Sequence, residues 1–472
     1  MKAQRGSELK KFLFATVILS VVITSLYYIF ARKGETLAAV NISSYIIQQY
    51  VIIQGNVSSN STSNFTSTTP TRFPFPYPEN WFWLWSERDT YLWTRTAYID
   101  TRKDVYGNPV IIALVYREIR PKLVVNSFSW YCHVLKTNNE EVCTGKATLD
   151  RSVEGIGYKF HSFSTATYFI CQLPPDTDHR DVRAVSFSSD GCQSTRHSPF
   201  VLIKPREKVK KKVLGICLHK ALFDVQEPQP IVEYIEIHRL LGIELFTMYV
   251  QSISKEIRDI LNKYSKEGIV EIVEWNIKIS TKVIRDFGQV GVIHDCLLRN
   301  QDRVTYLGFS DFDEVFVPLR DGTLDKLLKR LDQPNYASFR FLHVFMHDTP
   351  ALVKQVSKSN CSRVKLPLYF QRYKRSDFSD SSAYNGNTLG SKAKIFVKPE
   401  GIVVMGRHSM HLRSTHKFAP GYKELTVPGD SGLFFHYRKM LQPGLEHRKL
   451  VQDTALAKYQ DEMIRKLNER LC

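Results

Sequence analysis

Residues 306–318, YLGFSDFDEVFVP, carry an apolar run into three carboxylates and straight out into a second apolar run. Short apolar runs of this kind mark buried strands, and burying Asp311, Asp313 and Glu314 without partners is costly. The acids therefore need compensation. Three arrangements supply it: a solvated turn at a strand end, a metal site, or a catalytic acid pair. In extended backbone, residues i and i+2 point the same way, so Asp311 and Asp313 are expected to offer two oxygens to one ligand. A divalent cation such as Mg²⁺ or Mn²⁺ answers that description, because both prefer oxygen donors. A second D-x-D, Asp176 and Asp178 in PPDTDH, lacks the apolar strand and reads as a loop.

Upstream of this stretch the pattern alternates between strand and helix. VLGICLH (213–219) reads as a strand, QPIVEYIEIHRLLG (229–242) as an amphipathic helix closed by Gly242, and IELFTMYV (243–250) as a strand. ISKEIRDILNKYSKEG (253–268) is then a helix closed by Gly268, IVEIVEW (269–275) a third strand, and GVIHDCLLRNQ (291–301) a further helix. Such alternation builds a mostly parallel α/β sheet. The acids then lie near the C-terminal end of one of its strands, where open α/β sheets bind ligands.

Residues 81–205 differ in rhythm. Short β-rich runs such as VIIALVYRE (110–118) and TATYFICQLP (165–174) predict a small antiparallel domain. Cys132, Cys143, Cys171 and Cys192 fall inside it, enough for two bridges of open pairing. Trp81, Trp83, Trp85 and Trp93 at its entrance fit either a carbohydrate-stacking face or core packing, the commoner use. KPREKVKKK (204–212) reads as a solvated linker or a tie between the two domains.

At the N-terminus, residues 12–30 carry no charge and span about 28 Å as a helix. An uncleaved transmembrane anchor is expected, with a cleaved signal peptide as the alternative. Lys2, Arg5, Lys10 and Lys11 precede the span and keep residues 1–11 cytosolic, so the rest of the chain is lumenal. Residues 31–80 read as a stem. Four glycosylation sequons, at Asn41, Asn56, Asn60 and Asn64, cluster there, and a fifth stands at Asn360. All eight cysteines follow the span, in a compartment that favours disulfides. The formal charge of +18 suggests anionic ligands, and a lumenal position makes nucleic acid an unsuitable partner.

Two chemistries begin from an apolar strand ending in D-x-D. DFDEV fits the D-x-D-x-[TV] pattern of haloacid-dehalogenase-like phosphatases, with Asp311 as nucleophile and Asp313 as general acid. That fold carries the motif on its first strand and needs a later acidic pair. Here three strands come first, and no second acidic pair follows Gly429-Asp430. The other chemistry is glycosyl transfer from a nucleotide sugar. The ordered segments VEYIEIHRLLGIELFTMYV, VIHDCLLRNQDRVTYLGFSDFDEVFVP, SKAKIFVKPEGIVVMGRHSMH and FFHYRK resemble glycosyltransferase family 92 over roughly residues 212–440. A third reading, a non-catalytic lumenal sugar-binding ectodomain, is separated from the enzyme by UDP-sugar turnover.

The resemblance implies a GT-A-like, Rossmann-type catalytic domain at 212–472 in a type II Golgi membrane protein. It implies UDP-galactose as donor, Mn²⁺ or another divalent cation, inversion to a β1,4 linkage, and a glycan acceptor on glycoprotein or glycolipid. Asp311, Asp313 and His436 in FFHYR are the implied metal ligands, with His408 competing for the histidine position. Lys220 and Arg438 are expected at the diphosphate, Asp430 in PGDSG is the candidate general base, and Glu314 orders Asp313 or a metal-bound water. Glu233 and Glu236 read as solvated helix charges. Two positions depart from the family pattern: Ser310 precedes the acids where an aliphatic residue is usual, and Val250 stands where an Asp is frequent.

Overall fold

A computed structural model describes residues 82–118, 129–150, 164–205, 210–277, 284–347, 359–377, 393–406, 417–437 and 450–472, with short gaps inside these spans. All of them belong to one compact unit, Phe75–Cys472. The expected anchor at 12–30, the stem, the five sequons, Trp81, His408 and Arg438 lie outside the described residues. Among the described residues no helix is long and apolar enough to cross a membrane.

Nine strands open the described chain: β1 (Phe82–Glu87), β2 (Thr90–Asp100), β3 (Val110–Glu118), β4 (Tyr131–Lys136), β5 (Glu141–Lys146), β6 (Thr148–Asp150), β7 (Ser164–Gln172), β8 (Val182–Ser188) and β9 (Val201–Leu202). They form two antiparallel sheets, ordered β1-β2-β3-β7-β6 and β5-β4-β8-β9. The run VIIALVY is apolar at every position because both faces of β3 are covered. Ile111, Ala113 and Val115 pack with Cys132, Val134 and Phe187 of the second sheet. Val110, Ile112, Leu114 and Tyr116 face the other way, against the α/β part. Disulfides Cys132–Cys171 and Cys143–Cys192 fasten this region.

The α/β part begins with β10 (Lys212–Leu218), α1 (Pro228–Leu240), β11 (Leu245–Val250), α2 (Lys255–Lys266), β12 (Val270–Glu274), α3 (Gln289–Asn300) and β13 (Val304–Ser310). The strands pair in parallel in the order β12-β11-β10-β13. Ser254 caps α2 by accepting from the Ile257 amide at 3.3 Å. Gly242 and Gly268 follow α1 and α2 with φ of 104° and 71°, a left-handed exit that a side chain resists. Next come β14 (Glu314–Pro318), α4 (Leu324–Leu331), β15 (Tyr336–His347), β16 (Lys374–Ser376), β17 (Lys394–Val397), β18 (Ile402–Val404), β19 (Lys417–Phe418), β20 (Lys423–Thr426), β21 (Gly432–Tyr437), β22 (Leu450–Gln452) and α5 (Gln460–Leu471). The sheet turns mixed where β17 pairs antiparallel with β13 and β15.

Glu233 and Glu236 correct the reading of α1 as solvated on that face: both are buried. The helix is covered by the sheet on one side and by neighbouring helices on another, so its charges need partners inside. Glu236 accepts from Tyr264 Oη at 2.7 Å and Arg239 Nη1 at 2.9 Å, and Arg470 Nε of α5 stands 3.4 Å away. Glu233 accepts from Gln229 Nε2 at 2.7 Å. Two further bridges, Cys217–Cys296 between β10 and α3 and Cys361–Cys472 at the end of α5, complete the pairing of all eight cysteines.

The first sheet is joined to α3 by polar contacts as well as apolar ones. Thr96 Oγ1 and Tyr98 Oη of β2 donate to Asp295 Oδ1 at 2.9 and 2.7 Å. Tyr249 Oη and Arg299 Nε donate to Asp295 Oδ2 at 2.6 and 3.0 Å. Lys204, at the start of the basic run, reaches Glu271 Oε1 at 3.1 Å, and Lys211 lies 3.8 Å from Glu400 Oε2. The ends of that run therefore contact the α/β part.

Candidate functional site

Strand β13 ends at Ser310, and β14 begins at Glu314. Between them the backbone turns, with the Glu314 amide donating to the Asp311 carbonyl at 3.2 Å. This turn overrides the extended geometry expected of the D-x-D, so Asp311 and Asp313 diverge. Ser310, buried beneath them, shares a 2.9 Å hydrogen bond with Tyr234 Oη of α1. The hydroxyl at this departure from the family pattern thus has a partner.

Asp313 faces β21. Register Glu314↔His436 places that histidine beside the turn, with His436 Nε2 3.5 Å from Asp313 Oδ2. His436 Nδ1 lies 3.7 Å from Glu314 Oε1 and 3.0 Å from His343 Nε2 on β15. With the Nδ1 proton donated to His343, the Nε2 lone pair is left toward Asp313. Asp313, Glu314 and His436 each place one ligand atom so that the three lie within 4.8 Å of one another. Carboxylate oxygen with imidazole nitrogen is a donor set that Mn²⁺ accepts, so these residues fit the implied metal.

Asp311 turns instead to cations. Lys394 Nζ, fully buried at the start of β17, donates to Asp311 Oδ2 at 3.3 Å, reaches Glu314 Oε2 at 3.0 Å and contacts His219 Nδ1 at 3.1 Å. Lys220 Nζ lies 3.7 Å from Asp311 Oδ1, a buried oxygen with no hydrogen bond among the described residues. Burial by itself raises the Asp311 carboxyl, but Lys394, then His219 and Lys220, outweigh it and hold the group below the usual carboxylate range. Burial pushes Glu314 up, against the pull of Lys394. Burial would lower the Lys394 ammonium, yet the Asp311 and Glu314 carboxylates raise it. Glu314 Oε2 also accepts the Asp311 amide at 2.7 Å.

A cavity of about 570 Å³ opens beside this cluster, lined by Lys220, Phe223, Asp224, Asp286, Asp311 and Phe312. It lies past the C-terminal end of β10, as the α/β pattern predicted. Lys220 is half exposed and faces it, whereas Asp430 does not reach it. β14 and β21 run antiparallel from Glu314↔His436 to Pro318↔Gly432, so Asp430 sits beyond the opposite end, paired with exposed Arg320. That register sets the expected general base apart from Asp313 and His436.

Sequence reasoning missed Lys394, His219, His343 and Gln289, whose Nε2 lies 2.9 Å from His219 Nδ1. One signal was available for Lys394, a lysine inside the apolar run AKIFV, the cationic counterpart of acids inside YLGFSDFDEVFVP. Nothing in the sequence distinguishes His343 from other polar residues in FRFLHVFMH.

The glycosyltransferase family 92 model matches residues 212–472, more than half of the chain. The chain belongs to glycosyltransferase family 92. Among similar proteins is a β-1,4-galactosyltransferase of Caenorhabditis elegans, 24% identical over 267 residues, covering 53% of this chain and 58% of that protein. A glycosyltransferase family 92 protein of the same organism is 22% identical over 236 residues, covering 46% of this chain and 42% of its own length. The chain thus matches about half the length of these relatives. A mycobacterial protein of known crystal structure is 12% identical with a TM-score of 0.24, covering 55% of this chain and 74% of that one, a likeness too small to carry argument. The matched residues 212–472 are the α/β part that holds the candidate site.

Proposed function

We propose that this glycosyltransferase transfers galactose from UDP-galactose to a glycan of a glycoprotein or glycolipid, with inversion to a β1,4 linkage and with a divalent cation, Mn²⁺ by preference. The observation that carries the reading is the convergence of Asp313, Glu314 and His436, on the turn whose Asp311 and Phe312 line a cavity together with Lys220. The name of the galactosyltransferase relative supports the donor and linkage. A GT-A-like assignment is supported by the parallel order β12-β11-β10-β13 and by the acids at the end of β13.

Asp313 and His436 would hold the metal, and Glu314 lies close enough to join them or to order a water. When bound, the cation neutralises charge on the donor diphosphate and on its departing nucleotide. Lys220 adds a point charge at the cavity wall where a phosphate oxygen can approach. Ser310, Tyr234 and the β14–β21 pairing keep the turn rigid, so the donors need no rearrangement on ligand arrival. Arg438 remains a candidate for bidentate phosphate binding.

The complete pairing of the cysteines supports a lumenal site of action. Together with the apolar segment 12–30 and its flanking charges, it supports a type II Golgi membrane protein with a glycosylated stem. The test is UDP release from UDP-galactose by the full-length chain with a mixed glycan acceptor panel, with and without Mn²⁺, beside Asp313→Ala. Release that requires acceptor, metal and Asp313 supports the reading. Release from another UDP-sugar alone changes the donor, and metal-independent release removes the metal.

A further inference from the structure

The antiparallel region lies outside the matched residues 212–472, yet one of its side chains stands against the helix that borders the candidate site. Tyr116 of β3 is buried, and its hydroxyl donates to the Gly288 carbonyl at 2.8 Å and accepts the Gly291 amide at 2.7 Å. Glycine permits this approach, because a Cβ at residue 291 would stand 2.5 Å from the hydroxyl oxygen. Amides in the first turn of a helix have no acceptor within the helix, so this hydroxyl fixes a turn that would otherwise open readily. Gln289, buried on the same turn, places Nε2 2.9 Å from His219 Nδ1. The His219 amide donates to the Ser310 carbonyl at 2.8 Å, one residue before Asp311. His219 Nδ1 also lies 3.1 Å from Lys394 Nζ, the cation that reaches Asp311 Oδ2 and Glu314 Oε2.

We infer that Tyr116 is a positioning residue for the candidate site, fixing the first turn of α3 so that Gln289 holds the His219 ring against Lys394. Its effect on turnover rests on the transferase reading; the structural link does not. Both Gln289 Nε2 and Lys394 Nζ are donors, so His219 Nδ1 accepts, and the position of its ring sets where the Lys394 ammonium sits between the two carboxylates. Lys220, at the cavity wall, is the next residue along the chain and moves with the His219 backbone. Removing the Tyr116 hydroxyl deprives a buried carbonyl and a buried amide of this partner, and the turn that carries Gln289 then opens more often. The antiparallel region is thereby part of the frame of the site.

The experiment compares full-length wild type with Tyr116→Phe, Gln289→Met and a control, Thr94→Val. The control removes a buried hydroxyl that bonds inside the first sheet, to the Leu114 carbonyl at 2.9 Å. Hydrogen exchange is read by mass spectrometry over residues 216–222 and 288–294. Tyr116→Phe is expected to speed exchange in both segments by about three- to tenfold, Gln289→Met in 216–222, and Thr94→Val in neither. With UDP-galactose, Tyr116→Phe and Gln289→Met are expected to raise KM by about three- to tenfold and to change kcat less, because Lys220 faces the cavity. Faster exchange confined to 288–294 in Tyr116→Phe, or an equal rise in Thr94→Val, overturns the inference. If Tyr116→Phe does not fold, Gln289→Met decides: unchanged exchange over 216–222 overturns the inference, and faster exchange there supports it. An unchanged KM in the folded variants, beside an active wild type, overturns it and leaves the transferase reading standing. A wild type inactive toward UDP-galactose removes the donor reading and leaves the exchange rates to decide the inference.

Discussion

Asp311 and Asp313 are separated by one residue and meet different partners, Asp311 facing Lys394 and Lys220 and Asp313 facing His436. His343 is the least visible member of this set, meeting the candidate ligand at His436 Nδ1. His343→Phe keeps a ring in the buried slot and removes the nitrogen that hydrogen-bonds His436. Mn²⁺ affinity in the presence of UDP should fall by about 10- to 100-fold, read by paramagnetic resonance with the unfolding midpoint as a control. An unchanged affinity would show that His436 is oriented without it. Gly308, on the same strand as Ser310, has no room for a side chain: a Cβ would stand 2.6 Å from Phe396 Cζ. That ring is held against Phe316 at 4.6 Å between centroids. Gly308→Ala should therefore destabilise the chain by about 1–3 kcal/mol, seen as a lower urea midpoint. No shift would mean that β17 can move away.

Among the elements, α3 has the most demanding environment. Its N-terminal turn is held by Tyr116 of β3, whose hydroxyl donates to the Gly288 carbonyl at 2.8 Å and accepts the Gly291 amide at 2.7 Å. Its middle is held by Asp295, whose oxygens take hydrogen bonds from Thr96, Tyr98, Tyr249 and Arg299. Asp295→Ala leaves Arg299 buried with Glu271 as its remaining carboxylate. A loss of about 3–5 kcal/mol is expected, because one partner of a buried pair has been removed. Urea unfolding of Asp295→Ala beside Asp295→Asn, which keeps the shape, measures it. A loss below about 1 kcal/mol would contradict the account. Helix α3 itself was legible from GVIHDCLLRNQ, but its dependence on the antiparallel sheet was not, since the partners lie nearly 200 residues away.

For the molecule as a whole, the same burial gives a response to acid. Burial lowers His238 to about 4, with its Nδ1 proton donated to the Tyr234 carbonyl at 2.8 Å and its Nε2 without a partner among the described residues. Burial also lowers His294 to about 4; its Nδ1 meets the Val290 carbonyl and its Nε2 accepts the Met405 amide. Unfolded histidine titrates near ~6.5, so below that pH the unfolded chain takes up protons that the folded chain refuses. The stability these two residues contribute is present above about pH 6.5 and is lost as pH falls toward 4, by up to about 3 kcal/mol each. The urea midpoint should drop between pH 7.5 and 5, and His238→Phe should reduce the drop. An identical drop in that variant would assign the acid response elsewhere. A later loss is expected from Glu271: burial works to raise it, yet Arg299, Lys204 and Arg303 hold it down at about 2, so its share disappears only between about pH 4.5 and 2.

What the sequence determined by itself was local and periodic. Apolar runs bounded by Gly242 and Gly268 marked strands and helices within a few residues of their places, because strand periodicity and helix closure are read over short windows. The acidic stretch at 306–318 located the candidate site for the same reason: charges inside an apolar run require partners close by. Which partners they have was decided only by the tertiary structure. Lys394 arrives from a strand that follows Asp311 by 83 residues, His436 is set by the register of β14 against β21, and that same register carries Asp430 away. Glu233 and Glu236 looked solvated because an i,i+3 charge pair has the same spacing on an exposed face as on a buried one. Only the packing of α1 against its neighbours determines which face that is.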